Sequence, residues 1–114
     1  MATHEQVWVK VNAPVDVGIA EVVSLLNSVE GLLTLASCQG EAEQRDAYVY
    51  FSLGNWQTLC QFVFERIGTD LKQKFGEGVQ AIVEAADADS PIAKLSFRAE
   101  IIGPLASALK DILR

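Results

Sequence analysis

Leu32-Leu33-Thr34-Leu35-Ala36-Ser37-Cys38 and, after the polar stretch 39–46, Ala47-Tyr48-Val49-Tyr50-Phe51-Ser52-Leu53 decide the fold. The second run is rich in aromatic and β-branched residues and reads as a strand. The first reads as its partner. Gly40, among polar neighbours, marks the connection as a loop. The two runs therefore predict a hairpin with a long loop, each strand carrying one face inward.

On the N-terminal side, Val7-Trp8-Val9-Lys10-Val11 alternates strictly and predicts a further strand. Asn12-Ala13-Pro14 breaks it. Val15, Ile19, Val22, Val23, Leu26 and Val29 recur at helical spacing, which predicts a helix over 15–30. Asp16 is placed to favour its first turn, and Gly31 to end it.

On the C-terminal side, Gly54-Asn55 opens a second helix with Asn55 as its cap. Its apolar stripe is Trp56, Leu59, Cys60, Val63, Ile67 and Leu71, and it ends near Phe75-Gly76. Phe62 falls off that stripe, so it reads as an exposed aromatic or a partner contact. Residues 79–86 and 92–100 predict two strands joined through 87–91. In that register Glu84 faces Lys94 and Gln80 faces Arg98. Gly103-Pro104 begins a last helix with proline at a tolerated first-turn position. Its stripe is Ile102, Leu105, Leu109 and Ile112.

This order predicts an α+β fold: a ferredoxin-like two-layer sandwich (βαββαβ) with an added C-terminal strand and helix. Residues 1–114 form one domain. Two helices cover one face of an antiparallel sheet. The extra hairpin strand extends an edge. The last helix covers the open face, flanks an edge, or meets a second copy.

Half of the chain is hydrophobic and 21% is charged, enough apolar residues for a core and too many for disorder. The net charge of −6 argues against binding to phosphate backbones, and so against nucleic acid. No apolar run is long enough to span a bilayer, so no membrane is expected. The N-terminus lacks a basic and apolar leader pattern. Two cysteines, Cys38 and Cys60, make no disulfide framework; no bridge between them is expected. A cytoplasmic protein with reduced thiols follows.

One segment reads as a site. Thr34, Ser37, Cys38, Gln39 and Gly40 bring two hydroxyls, a thiol and a glycine turn to a strand end. Three readings stand side by side. Cys38 is a small buried hydrophobe and Gly40 a turn residue; or hydroxyls and backbone amides hold a small polar ligand; or Cys38 is a reactive thiol. A thiolate needs a nearby cation, and Arg45 stands among Glu41, Glu43 and Asp46, which oppose it. The one histidine, His4, gives no support to a triad, a Cys-His dyad or a multi-histidine metal site. The scattered Glu65, Asp70, Glu77, Asp87 and Asp89 have no calcium-loop spacing. No cofactor is indicated.

Leu26-Asn27, Thr34 and Ser37-Cys38-Gln39-Gly40, followed by Tyr48-Val49-Tyr50-Phe51, resemble a pattern in small uncharacterised bacterial and phage proteins. The pattern is also similar, distantly, to the Ser-Cys-Ser-Gly-Arg motif of the wybutosine-synthesis tRNA methyltransferase family. That resemblance implies an enzyme or enzyme subunit of tRNA base modification, with the Cys38 segment lining its pocket. The residues themselves favour a non-enzymatic domain that binds a small ligand or a protein partner, as a homodimer, with residues 34–40 lining the pocket.

A second surface is legible from alternation. Trp8, Lys10, Tyr48, Tyr50, Lys94, Ser96 and Arg98 fall on the face opposite the two helices. Aromatics interleaved with cations on such a sheet stack bases in RNA-recognition domains. The glycine-flanked aromatic motif of those domains is absent from the third strand. The competing expectation is that the last helix or a second copy covers this face.

Overall fold

The computed structural model describes residues 6–8, 14–87 and 90–114, with side chains over 15–85 and 90–114. Among them, the strands are β1 (Gln6–Trp8), β2 (Pro14–Asp16), β3 (Leu32–Cys38), β4 (Ala47–Leu53), β5 (Val79–Asp87) and β6 (Ser90–Phe97). The α-helices are α1 (Ala20–Asn27), α2 (Trp56–Cys60), α3 (Gly68–Phe75) and α4 (Ile102–Ile112). A π-helical segment, Gln61–Ile67, joins α2 to α3 in one compound helix. None of the described helices is long and apolar enough to cross a membrane.

The molecule is an α+β two-layer sandwich. Its main sheet has the order β3-β4-β6-β5, with every neighbouring pair antiparallel. Alternation dictates what each side carries. Ala47, Val49, Phe51 and Leu53 of β4 are buried, as are Ala93, Leu95 and Phe97 of β6. The residues between them are half-buried. The buried set joins Ile19, Val22, Val23 and Leu26 of the first helical region, Leu59, Val63, Ile67 and Leu71 of the compound helix, and Leu105 and Leu109 of α4 in one core. Burying each such aliphatic or aromatic side chain contributes roughly 1.5–3 kcal/mol.

The two central strands and the two edges differ in composition for a physical reason. β6 lies inside the sheet, and its hairpin partner β5 is the outer strand, contrary to the expectation that the last strand extends an edge. β6 buries alternate apolar residues along most of its length. β5 carries exposed Gln80 and Glu84, the kind of polar residue that protects an edge from further pairing. The opposite edge, β3, has a bulge at Leu35, between Thr34 and Ala36, another device found at edges.

The described part of the N-terminal strand lies outside the main sheet. Gln6–Trp8 pairs with Pro14–Asp16 in a separate two-stranded sheet, with Val7 opposite Val15. Val9, Lys10 and Val11 lie outside the described residues, as does the side chain of Trp8. Residues 14–16 are therefore extended, and the first helix begins after a 3₁₀ turn at Val17–Ile19, not at Val15. Asp16 makes no side-chain cap bond to that turn; its Oδ2 accepts the Gln39 N–H instead.

Two further expectations need correction. In the last hairpin Lys94 pairs with Ile82, Glu84 with Ile92, and Gln80 with Ser96, so the expected register is off by two residues. Asp87 already pairs with Ser90, a tighter connection than 87–91. Pro91 stands within the strand, next to the irregularity between Ala85 and Asp87, where a missing N–H is tolerated. β6 also ends at Phe97, and Ala99–Ile101 forms a 3₁₀ turn into α4.

Phe62 is the second correction. It is buried, not exposed, and meets Phe51 edge to face at 6.0 Å between ring centroids. The π segment is the cause. Its i→i+5 spacing winds wider than an α-helix, so a stripe drawn at α-helical spacing slips out of phase across it. Phe62 turns inward while Phe64 is left exposed.

Helix α4 packs against α1, α3 and the π segment, on the same side of the sheet as the other helices. It does not cover the opposite face. The expected alternatives for that face narrow accordingly, because the buried stripe of Leu105 and Leu109 is satisfied within the chain.

Candidate functional site

The segment 34–40 is held by a set of internal hydrogen bonds. Asn27, the last residue of α1, reaches Thr34 twice. Its Nδ2 donates to Thr34 Oγ1 at 2.9 Å, and its Oδ1 accepts the Thr34 N–H at 3.2 Å. This ties the end of the helix to the strand that follows it. Gln39 does the same for the start of the helical region: its Oε1 accepts the Gly18 N–H at 2.8 Å. The Gln39 N–H donates to Asp16 Oδ2 at 3.2 Å, and Asp16 is buried.

Gly40 is required by space as well as by conformation. Its φ is +69°, and a Cβ there would stand 2.6 Å from the Arg45 carbonyl oxygen and 2.7 Å from the Ala47 nitrogen. Its N–H lies 3.4 Å from Cys38 Sγ. The loop beyond is closed by paired bonds between Glu41 and Arg45, each 2.9 Å long. Glu43 takes a positive φ of 63° at the loop tip, and its N–H donates to Glu100 Oε1 at 3.1 Å.

The sheet face away from the helices is the broadest candidate surface. The register draws a straight row across all four strands, Ala36–Tyr50–Lys94–Ile82, and beside it Cys38–Tyr48–Ser96–Gln80. Tyr48 and Tyr50 stand edge to face, 5.5 Å between centroids at 75°. Lys94 Nζ lies 5.2 Å from the Tyr48 ring centre and 5.5 Å from that of Tyr50. A cation over such partly solvated rings contributes roughly 0.5–1 kcal/mol each. Leu33 on β3 and Ile82 on β5 are 53% and 50% exposed at the two margins, large apolar side chains that the other described residues leave uncovered.

Sequence reasoning placed Tyr48, Tyr50, Lys94 and Ser96 on this face, and they share it. Arg98 belongs elsewhere: it follows the end of β6 and lines a polar cleft with Glu41, Glu43, Arg45 and Glu100. Of the 34–40 segment, Cys38 borders the face beside Tyr48. Thr34 and Ser37 pair opposite the inward residues Phe51 and Val49. Both cysteines are free and half-buried.

No protein-family model, curated protein or solved structure matches this chain. Its surfaces therefore have to be read from their own chemistry. Among the described residues, no three His, Cys, Asp or Glu side chains gather in a metal-binding group.

One feature escaped sequence reasoning. A cleft of about 230 Å³ opens between the compound helix and β5, lined by Phe64, Thr69, Leu71, Lys72, Gln80 and Leu95 among others. Gly68 is also in its wall. The signal in the sequence was the pair Phe62 and Phe64, which cannot both face the core of a regular helix; only the π segment decides which one does.

Proposed function

We propose that this chain is a non-enzymatic interaction domain whose binding surface is the open sheet face, and that its partner there is a second copy of itself. The observation that carries the reading is the row Ala36–Tyr50–Lys94–Ile82 with exposed Leu33 beside it. Exposed apolar side chains gathered around an aromatic cluster are a mark of interaction surfaces. All described helices lie on the other side and leave this face open to a partner.

A second copy fits better than a polyanion. Lys94 is the one cation in the two rows, and it already stands over both tyrosine rings. A chain of net charge −6 offers little to a phosphate backbone. Two-fold pairs are the commonest soluble oligomers and need only one self-complementary patch. In this reading Asn27, Thr34, Gln39 and Gly40 hold the edge strand in place. Cys38 is the member of that segment on the binding face.

Light scattering over a concentration series tests the reading. Wild-type protein should rise from 12.4 kDa towards twice that mass. Tyr50→Glu should stay monomeric with an unchanged far-ultraviolet spectrum. A wild-type mass that stays monomeric up to millimolar concentration would refute self-association.

A further inference from the structure

We propose that the cleft between the compound helix and β5 binds a small amphipathic anion, a short-chain carboxylate, with its tail on the apolar floor and its head group at Lys72. This goes beyond the sheet-face reading and uses a different surface.

The cleft owes its existence to the π segment. A Cβ on Gly68 would collide with the Val63 carbonyl oxygen, five residues back, where the i→i+5 turn brings backbone close. Thr69 repeats the spacing, its Oγ1 donating to the Phe64 carbonyl at 3.2 Å. Gly68 therefore permits the wide turn and puts only backbone into the wall. Ala81, opposite on β5, adds no bulk either. π turns of this kind recur at functional sites.

The lining then specifies a class of ligand. Phe64, Leu71, Val79 and Leu95 offer an apolar surface. Phe64 is 47% exposed, so an occupant that covers it removes a large apolar area from water. Lys72 is the one charged group among the lining residues, in a chain of net charge −6. It favours an anion over a cation or a neutral molecule. Thr69 supplies a further polar group in the same lining. The volume of about 230 Å³ is below the roughly 300–1,000 Å³ of sites for larger ligands, which limits the tail to a short chain.

The test is a titration of isotope-labelled full chain with sodium octanoate, followed by amide NMR, with octan-1-ol as the uncharged control. Octanoate should shift Phe64, Thr69, Lys72 and Ala81 saturably and leave Tyr48 and Tyr50 unmoved. It should bind about three- to fivefold tighter than octanol, the size of an exposed ion pair. Lys72→Gln, at an exposed position, should abolish that preference while octanol binding persists. Ala81→Leu, which fills the cleft, should abolish both. The proposal is overturned by absence of saturable shifts below the micelle concentration, by shifts confined to the open sheet face, by equal affinity for octanol, or by a preference that survives Lys72→Gln. None of these results bears on dimerisation through the sheet face.

Discussion

At the scale of single residues, the short segment that looks most like a site is first of all a brace. Asn27 meets Thr34 with both ends of its amide, and Gln39 meets Gly18. Small polar residues beside a glycine read alike whether they hold a ligand or hold the chain, because both uses need the same donors and acceptors at a turn. Only the long-range partners, Gly18 and Asp16, separate the two, and periodicity carries no information about them. Asn27→Ala should cost about 1–2 kcal/mol in urea unfolding, the loss of two partly buried hydrogen bonds. Asn27→Asp keeps the acceptor to the Thr34 N–H and should cost less. Equal losses for the two variants would mean that the amide donor carries the interaction. Gly40→Ala is stricter, since both its positive φ and the Arg45 carbonyl oppose a methyl group. A loss of roughly 2 kcal/mol or more is expected from such a site, read from the shift in denaturation midpoint at unchanged slope. A loss under a few tenths would contradict the close packing of that loop.

At the scale of elements, what periodicity reports was legible and what winding and pairing decide was not. β4 alternates from Ala47 to Leu53 and is found at those bounds. The Asn55 cap is found as well, its Oδ1 accepting the Thr58 N–H at 2.9 Å. Phe62 was misread because the stripe was drawn with a constant angle per residue, and Gln61–Ile67 does not keep it. The register of the last hairpin was misread because turn length, not composition, sets it, and Pro91 looks like a turn residue yet lies in the strand. Residues 14–16 looked helical because Val15 fits the stripe; their pairing with β1 is a strand contact that helical spacing does not report. The π segment makes its own prediction. Gly68→Ala should force Val63 and residue 68 apart, and the segment should either tighten towards an α-helix or lose stability by about 1–3 kcal/mol. Amide exchange of residues 61–67 distinguishes these outcomes. No change in either exchange or stability would show that Gly68 is not what admits the wide turn.

At the scale of the whole molecule, one layer of helices serves one side of a four-stranded sheet, and the core closes on that side alone. Leu109 is fully buried where α4 meets the rest of the helical layer. Leu109→Ala should cost about 2–5 kcal/mol, as removal of a core leucine does, and should lower the thermal midpoint without changing the mass of the associated species beyond what unfolding explains. The other side of the sheet is where association is expected. The aromatic row was foreseeable from alternation alone. That α4 leaves it uncovered was not, since an amphipathic helix fits either side of a sheet equally well in sequence. The most direct measurement is an isotope-filtered NOE experiment on a mixture of labelled and unlabelled chains. Intermolecular contacts should come from the ring protons of Tyr48 and Tyr50 and the methyl groups of Leu33 and Ile82. Intermolecular contacts from α4, or from the compound helix with none from Tyr50, would contradict a sheet-face interface.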